Sequence, residues 1–311
     1  MDTSTVTAAE IMTPRLRPTT ASTHVMDAID LLFSHGISGL PVIHSDGHLE
    51  GRFSERTAIA ALDLGDLNRD ETASELRSVR AADLMHDSLV LRSIADTFTA
   101  ASRLLETRTS GAPVVDDLGN LLGVFSKNSA MRVFIGLCWE QLPSSRVTAW
   151  LDRDDNRQIT EDTRLDEILN RFQQSGFRRL IVVRGGQLIG QVNRRYALEA
   201  AAKRTHVPVG TVVESSPDVQ APTMTVGAWM DREIPTIGSK ADVLTIAQLF
   251  IHSSARQLPV VENMRIEGQI SRCDLLRAVE RFFPRTADAD RVAQSLYLSS
   301  VRNHEEVSVL G

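Results

Sequence analysis

The sequence predicts an α/β protein of the α+β type, built from four copies of one helix–hairpin–helix unit. A short strand-like run occurs four times, at residues 39–43, 111–115, 179–183 and 257–261. Each run is followed by a polar turn and then by a glycine, which stands 38 or 39 residues after a hydrophobic anchor. Four copies of one spacing indicate an internal repeat rather than chance.

The sequence of each unit predicts the same order of secondary-structure elements. An anchor turn comes first, an amphipathic helix such as residues 25–33 follows, and two strands then form a hairpin. The anchors are Met12, Met85, Leu151 and Met230, and the glycines are Gly51, Gly123, Gly190 and Gly268. Side-chain oxygens that can cap the closing helix belong to Ser54, Ser126, Asn193 and Ser271.

The units define the predicted domain boundaries. A unit of roughly 60 residues is marginal as an independent core. We therefore expect consecutive units to share a core, which gives two paired modules. The predicted domains are residues 5–66, 78–137, 144–205 and 222–284. A linker joins the two units within each module, at 63–78 and 204–225, and a short junction at 139–145 joins the modules. A C-terminal tail, 285–311, could add one helix over 290–296.

Composition excludes several classes of protein. Of the 311 residues, 42% are hydrophobic and 24% are charged, so the chain can bury a substantial core. The net charge of −6 argues against binding nucleic acid through phosphate neutralisation. There is no apolar run long enough for a membrane span and no signal-peptide pattern. With two cysteines, too few for a disulfide framework, we expect a cytoplasmic protein.

The sequence carries no recognisable catalytic or metal-binding motif. It lacks a Gly-x-Ser-x-Gly elbow, a P-loop and a dinucleotide-binding glycine motif. Residues 152–156 resemble the start of a calcium loop, but Arg157 and Thr163 replace the glycine and glutamate that such a loop needs. The eight histidines are scattered. We therefore expect no catalytic residue, no metal site and no enzymatic activity.

The repeated residues resemble the CBS (cystathionine β-synthase) domain family. The resemblance rests on the patterns at residues 11–13, 39–42 and 51–54 of the first unit, and the fourth unit, residues 229–278, is the closest match. It covers nearly the whole chain outside the linkers and tail. It implies four tandem CBS repeats in two paired (Bateman) modules that form a flat disc. The layout is similar to that of the γ subunit of AMP-activated protein kinase.

The resemblance also implies an adenosine-binding site. The family's sites carry Ser/Thr-x-x-Asp at the start of the closing helix, where the aspartate accepts hydrogen bonds from ribose hydroxyls. Ser271 and Asp274 match this element in full, whereas the other units have Thr57, Ser129 and Tyr196 in place of the aspartate. The alternative is that Asp274 only caps its helix, because an acid in the first turn favours the helix dipole.

Further residues of the implied site flank the strands of the second module. Arginines before these strands could bind phosphate, and the segment after the last anchor would contact the base through its main chain. These residues are Arg178, Arg179, Arg256, Gln257, Pro235, Thr236 and Ile237. The alternative is that the arginines are solvated surface residues.

The resulting hypothesis is a stand-alone regulatory protein. It would sense AMP, ADP, ATP or S-adenosylmethionine through the second module and relay binding to a protein partner, which the sequence does not identify. A homodimer is one possible assembly. The alternative is a ligand-free CBS scaffold for protein–protein contact or self-association, because three units of four lack the aspartate.

Overall fold

The computed structural model describes residues 6–14, 18–63, 78–138, 146–204, 224–253 and 255–282. The chain divides into two compact units. One contains Met1–Leu16, Leu89–Arg153 and Pro235–Gly311, and the other contains Arg17–Ser88 and Asp154–Ile234. We name the first the even unit, because it holds the hairpins of repeats two and four, and the second the odd unit, because it holds those of repeats one and three.

Each repeat folds into an anchor turn, a two-residue strand, a ten-residue helix, a hairpin and a closing helix. Repeat one comprises α1 (Ala8–Ile11), β1 (Thr19–Thr20), α2 (Val25–Ser34), β2 (Gly39–Ile43), β3 (Leu49–Ser54) and α3 (Glu55–Asp63). Repeat two comprises α4 (Ala81–Leu84), β4 (Leu91–Arg92), α5 (Thr97–Glu106), β5 (Gly111–Val115), β6 (Leu121–Ser126) and α6 (Lys127–Cys138).

In repeats three and four a 3-10 turn replaces the helical anchor turn. Repeat three has the turn Val147–Trp150 and a second turn, Asp155–Arg157, followed by β7 (Gln158–Ile159), α7 (Leu165–Gln174), β8 (Arg179–Arg184), β9 (Gln187–Asn193) and α8 (Arg194–Arg204). Repeat four has the turn Val226–Ala228, followed by β10 (Ile237–Gly238), α9 (Val243–His252), β11 (Gln257–Glu262), β12 (Arg265–Ser271) and α10 (Arg272–Phe282).

The strands pair in the same way in all four repeats. The short first strand runs parallel to the middle strand, and the middle strand runs antiparallel to the third. The register shifts at the same place in every middle strand, between Val42/Ile43, Val114/Val115, Val182/Val183 and Val260/Val261. The prediction of one repeated α+β unit is therefore confirmed, and the four units also share this register shift.

Helix positions follow from hydrophobic spacing and from caps. The amphipathic stretch predicted at residues 25–33 is α2, which buries Val25 and Ile29 on one face. The predicted N-caps accept a backbone hydrogen bond at Ser54 (3.3 Å), Ser126 (3.2 Å) and Asn193 (2.8 Å). Repeat four differs, because the Ser271 hydroxyl donates to Asp274.

The anchors lie against neighbouring repeats, which the sequence analysis did not predict. The backbone of Thr13, next to the first anchor, pairs with Val124 of repeat two, and His86, next to the second anchor, pairs with Arg52 of repeat one. In the same way the anchor segments of repeats three and four pair with β12 and β9. Consecutive repeats therefore exchange their anchor turns in space, an exchange that the spacing along the sequence did not predict.

The repeated glycine explains why the exchange fits. A Cβ atom on Gly123 would lie 2.8 Å from the sulfur of Met12 and 2.7 Å from the carbonyl oxygen of Thr13. On Gly51 it would lie 3.2 Å from the sulfur of Met85. A glycine is needed because the exchanged anchor passes where a side chain would begin.

The hydrophobic cores join alternate repeats rather than consecutive ones. In the odd unit α3 of repeat one packs against α8 of repeat three, and one buried cluster contains Ile59, Phe172 and Leu198. In the even unit α6 of repeat two packs against α10 of repeat four, and one cluster contains Phe134 and Leu276. This corrects the expectation that consecutive units share a core. The closing helix of each repeat buries its apolar face against the closing helix of the alternate repeat.

Some sequence predictions lie outside the described residues. These are the junction at 139–145, nearly all of the two linkers (64–77 and 205–223) and the tail with its helix over 290–296. Within the described part of the chain no helix is long and apolar enough to cross a membrane.

Candidate functional site

The predicted site in repeat four lies at one end of the strands β10, β11 and β12. Gln257 at the start of β11 is opposite Ser271 at the end of β12. Because β10 runs parallel to β11, the chain enters β10 from this same end through Pro235 and Thr236. The topology thus brings the segment predicted to contact the base, the start of β11 and the first turn of α10 to one edge.

Asp274 is held in the first turn of α10 by two hydrogen bonds to one of its oxygens. Its Oδ2 accepts from the backbone N–H of Ser271 at 2.8 Å and from the Ser271 hydroxyl at 2.6 Å. Its Oδ1 has the Arg277 guanidinium at 3.7 Å, and that arginine is 54% exposed. The carboxylate therefore caps the helix through one oxygen, and the other forms a longer ion pair with an exposed arginine.

Burial disfavours the ionised form of the Asp274 carboxylate. The Asp274 side chain is 17% exposed. Desolvation raises its pKa above the usual aspartate range, the hydrogen bonds from Ser271 oppose that rise, and the nearby charge of Asp152 adds to it. A donor that reached Oδ1 would compensate part of this cost.

The other repeats show that capping does not require an acid. Repeat one uses Ser54 with Thr57, whose hydroxyls lie 2.8 Å apart, and repeat two uses Ser126 with Ser129 at 3.1 Å. In repeat three Asn193 accepts from the backbone of Tyr196. Only the repeat-four element adds a carboxylate to this arrangement.

Three arginines lie near one another at the start of α10. Burial, together with the charges of Arg256 and Arg132, lowers the pKa of Arg272 to about 10. The guanidinium of Arg272 remains cationic at neutral pH and donates to the carbonyl oxygen of Phe250 at 2.8 Å. This group of three arginines is an electropositive region next to the first turn of α10.

The remaining predicted residues of the even unit are partly or fully exposed. Pro235, Thr236 and Arg256 are exposed, while Gln257 and Ile237 are half-buried. The Gln257 amide donates to the side chain of Gln269 on the adjacent strand. These positions leave the surface at this sheet end lined by polar groups and main chain.

Arg178 and Arg179 belong to the odd unit, with repeat one. Arg178 donates to the Ser38 hydroxyl at 3.3 Å. Burial lowers the pKa of Arg52 to about 10 and that of Arg194 to about 9, and the charge of Arg178 contributes to both shifts. Their contact with the same ligand as Asp274 stays a prediction.

Sequence reasoning missed the arginines that open or precede the closing helices. Arg194 and Arg272 occupy the same position in repeats three and four, and each donates to two carbonyls at the end of the preceding helix. Arg52, just before α3, is half-buried and lies within the electrostatic influence of Arg178. The sequence did contain a signal for these two residues, because an arginine directly follows the capping residue both at Asn193 and at Ser271.

No metal centre is found within the described ranges, where no group of three or more metal-ligating side chains occurs. In the calcium-like stretch, Asp154 instead accepts from the backbone of Asn156 at 3.0 Å. This is the hydrogen bond of a local turn.

Comparison with known proteins identifies the family. The model of the CBS domain family matches residues 8–64, 81–136, 153–203 and 226–281, which is more than half of the chain. The chain therefore belongs to the CBS domain family.

Its relatives include other CBS-repeat proteins. Uncharacterized protein MJ1225 of Methanocaldococcus jannaschii is 24% identical over 200 residues, which are 63% of this chain and 68% of that protein. CBSX2, a chloroplastic CBS domain-containing protein of Arabidopsis thaliana, is 31% identical over 148 residues, which are 40% of this chain and 62% of CBSX2.

The fold is also that of a solved structure. The crystal structure of MJ1225, considered an archaeal homologue of γ-AMPK, matches with a TM-score of 0.73 at 19% identity. The match covers 88% of this chain and 99% of that one. At this identity the likeness establishes the fold with its four repeats.

Proposed function

We propose that this chain is a regulatory protein that binds an adenine nucleotide or a related adenosyl compound at the repeat-four site. The observation that carries the proposal is that the two oxygens of Asp274 differ: Oδ2 accepts both hydrogen bonds from Ser271, whereas Oδ1 has the exposed Arg277 guanidinium at 3.7 Å. Ribose hydroxyls are suitable donors for this oxygen. Hydrogen bonds to an ionised acceptor are stronger than neutral ones, and a half-buried carboxylate gains most from them.

The arginines favour a phosphorylated ligand. Arg272, which opens α10, and the nearby Arg256 and Arg132 concentrate positive charge at the start of this helix, which would suit the phosphates of AMP, ADP or ATP. S-adenosylmethionine carries a sulfonium cation, and the same arginines would repel it. We therefore expect nucleotides to bind more tightly than S-adenosylmethionine.

Binding would be relayed by a change in population of conformations. A ligand at this sheet end would contact β10, β11 and α10 together, so it would favour the arrangement in which they close around it. A protein partner in the cytoplasm would respond to that arrangement. The protein partner, the cytoplasmic location and the formation of a homodimer are all part of this proposal.

Thermal unfolding with and without nucleotides tests the site. CBSX2 has been crystallised with AMP, so AMP is the first ligand to try, followed by ADP, ATP and S-adenosylmethionine. A ligand at about 100 times its dissociation constant adds about 2.7 kcal/mol of stability. For a compact unit of this size that raises the melting temperature by several degrees.

The informative variant is Asp274→Ser, which recreates the Ser126–Ser129 cap of repeat two without a carboxylate. Ser129→Ala is its matched control, because it weakens an equivalent cap in a repeat that has no acid. We expect the AMP shift in wild type and in Ser129→Ala, and its loss in Asp274→Ser. A shift that persists in Asp274→Ser contradicts the assignment and directs attention to Arg52, Arg178 and Arg194 of the odd unit.

A ligand-free scaffold is the alternative, favoured by the Thr57, Ser129 and Tyr196 substitutions in the other repeats. It predicts no thermal shift with any of the four ligands. Chromatography of the nucleotides after incubation checks the further expectation that the protein does not turn them over.

A further inference from the structure

A lysine and a cysteine from different repeats meet inside the even unit. Lys127 is the first residue of α6 in repeat two, and Cys273 is the second residue of α10 in repeat four. The two helices pack against each other. The Lys127 Nζ lies 2.6 Å from the Cys273 Sγ, although 146 residues separate them in sequence. Lys127 is 9% exposed, whereas Cys273 is partly accessible.

The separation of these atoms is unusual for a hydrogen bond. It is shorter than the roughly 2.9 Å of an ordinary N–H···O bond, although sulfur is a larger atom than oxygen. It is longer than a covalent nitrogen–sulfur bond. One oxygen atom bonded to both Nζ and Sγ would span it. We propose that Lys127 and Cys273 are a modification site, at which hydrogen peroxide forms a covalent N–O–S crosslink.

The chemistry requires two molecules of peroxide. The first oxidises the Cys273 thiol to a sulfenic acid and is reduced to water. The second oxidises the pair further: Nζ–H and O–H bonds break, an N–O bond forms between Nζ and the sulfenic oxygen, and the peroxide leaves as two waters. In total, a thiol, a neutral amine and two peroxides give the N–O–S bridge and three waters.

The surroundings fit both steps. The partial exposure of Cys273 admits a small oxidant, and the packing of α6 on α10 holds the amine next to the oxidised sulfur. The second step uses the neutral form of the amine. The bridge would tie repeat two to repeat four through their closing helices.

Peptide mapping of the peroxide-treated full-length protein tests the proposal. The variant Cys138→Ser leaves Cys273 as the single thiol, because the chain has two cysteines. After treatment and alkylation, we expect one species that joins the peptides of Lys127 and Cys273, with one oxygen gained and two hydrogens lost. Trypsin should fail to cleave after Lys127, and dithiothreitol should restore cleavage.

Lys127→Gln and Cys273→Ser should both abolish the joined species. The proposal is overturned if wild-type Cys273 oxidises only to sulfinic or sulfonic acid, or if Lys127 stays open to trypsin. That result is read on wild-type protein, so it does not depend on the variants folding. As a second readout, the bridge should raise the melting temperature of the treated protein without any nucleotide, and dithiothreitol should reverse the rise.

Discussion

At the scale of single residues, Asp274 shows how one side chain can satisfy two explanations. The sequence identified the acid but offered helix capping and ligand binding as alternatives. The structure assigns capping to Oδ2, through Ser271, and leaves Oδ1 with a distant Arg277. No sequence pattern distinguishes two oxygens of one carboxylate, because that depends on the rotamer and on the groups packed around it.

The raised pKa of Asp274 predicts a pH effect on stability. An acid whose pKa is higher in the folded than in the unfolded state binds more protons when folded, so stability falls as pH rises from the unfolded value, about 3.9, through the folded value. We expect wild type to lose stability across this window relative to Asp274→Ser. Urea unfolding at a series of pH values measures the difference, and parallel curves for the two proteins would contradict the burial argument.

Arg272 is predicted to stabilise the end of α9. Its guanidinium donates to the carbonyl oxygens of Phe250 and Ser253, so Arg272→Ala would leave both without this donor. We expect a loss of about 1–3 kcal/mol in the free energy of unfolding. Arg265→Ala, at an exposed position of β12, is the control and should change it by less than about 0.5 kcal/mol. Equal losses of stability in the two variants would argue against a role of Arg272 in stabilising the end of α9.

At the scale of elements, the sequence predicted the order and positions well but not the partners. Strands, hairpins and helices follow from hydrophobic period and caps, which are local properties. The exchange of anchor turns is not local: Met12 has the same spacing to Gly51 as the other anchors have to their glycines, yet it packs on Gly123. Because all four repeats share one pattern, spacing alone cannot tell which glycine receives which anchor.

The exchanged anchor predicts that Gly123 cannot take a side chain. In Gly123→Ala the new methyl group would collide with the Thr13 carbonyl and the Met12 sulfur. We expect a cost of about 1–3 kcal/mol, as for other overpacked sites. Gly238→Ala is the matched control, because nothing lies within 4 Å of its Cβ position. Chemical denaturation of both variants checks this, and a neutral Gly123→Ala would refute the close approach.

At the scale of the whole molecule, the four-repeat architecture could be predicted, but the composition of each core could not. Small repeats had to share cores, because one unit buries too little apolar surface alone. Which repeats share depends on the faces of the closing helices, and these look alike in sequence. The clusters join repeat one with three and two with four.

Energetic coupling between alternate repeats tests this arrangement of the cores. Ile59 of α3 and Leu198 of α8 are both fully buried in one cluster. We expect Ile59→Val and Leu198→Ala to be non-additive by at least about 0.5 kcal/mol in a double-mutant cycle. The control cycle replaces Leu198→Ala with Gln187→Ala, an exposed position of repeat three, and should be additive. Additivity in both cycles would contradict a shared core.

The central claim is that the carboxylate of Asp274 binds ribose hydroxyls, and calorimetric titration tests it most directly. AMP and 2′,3′-dideoxy-AMP would each be titrated into wild type and Asp274→Ser. Hydrogen bonds to a charged acceptor contribute about 1.5–3 kcal/mol, or roughly 10- to 100-fold in affinity. We predict that wild type prefers AMP by such a factor and that Asp274→Ser binds both ligands equally. The same preference in both proteins would show that the hydroxyls are recognised elsewhere, and the site assignment would be wrong.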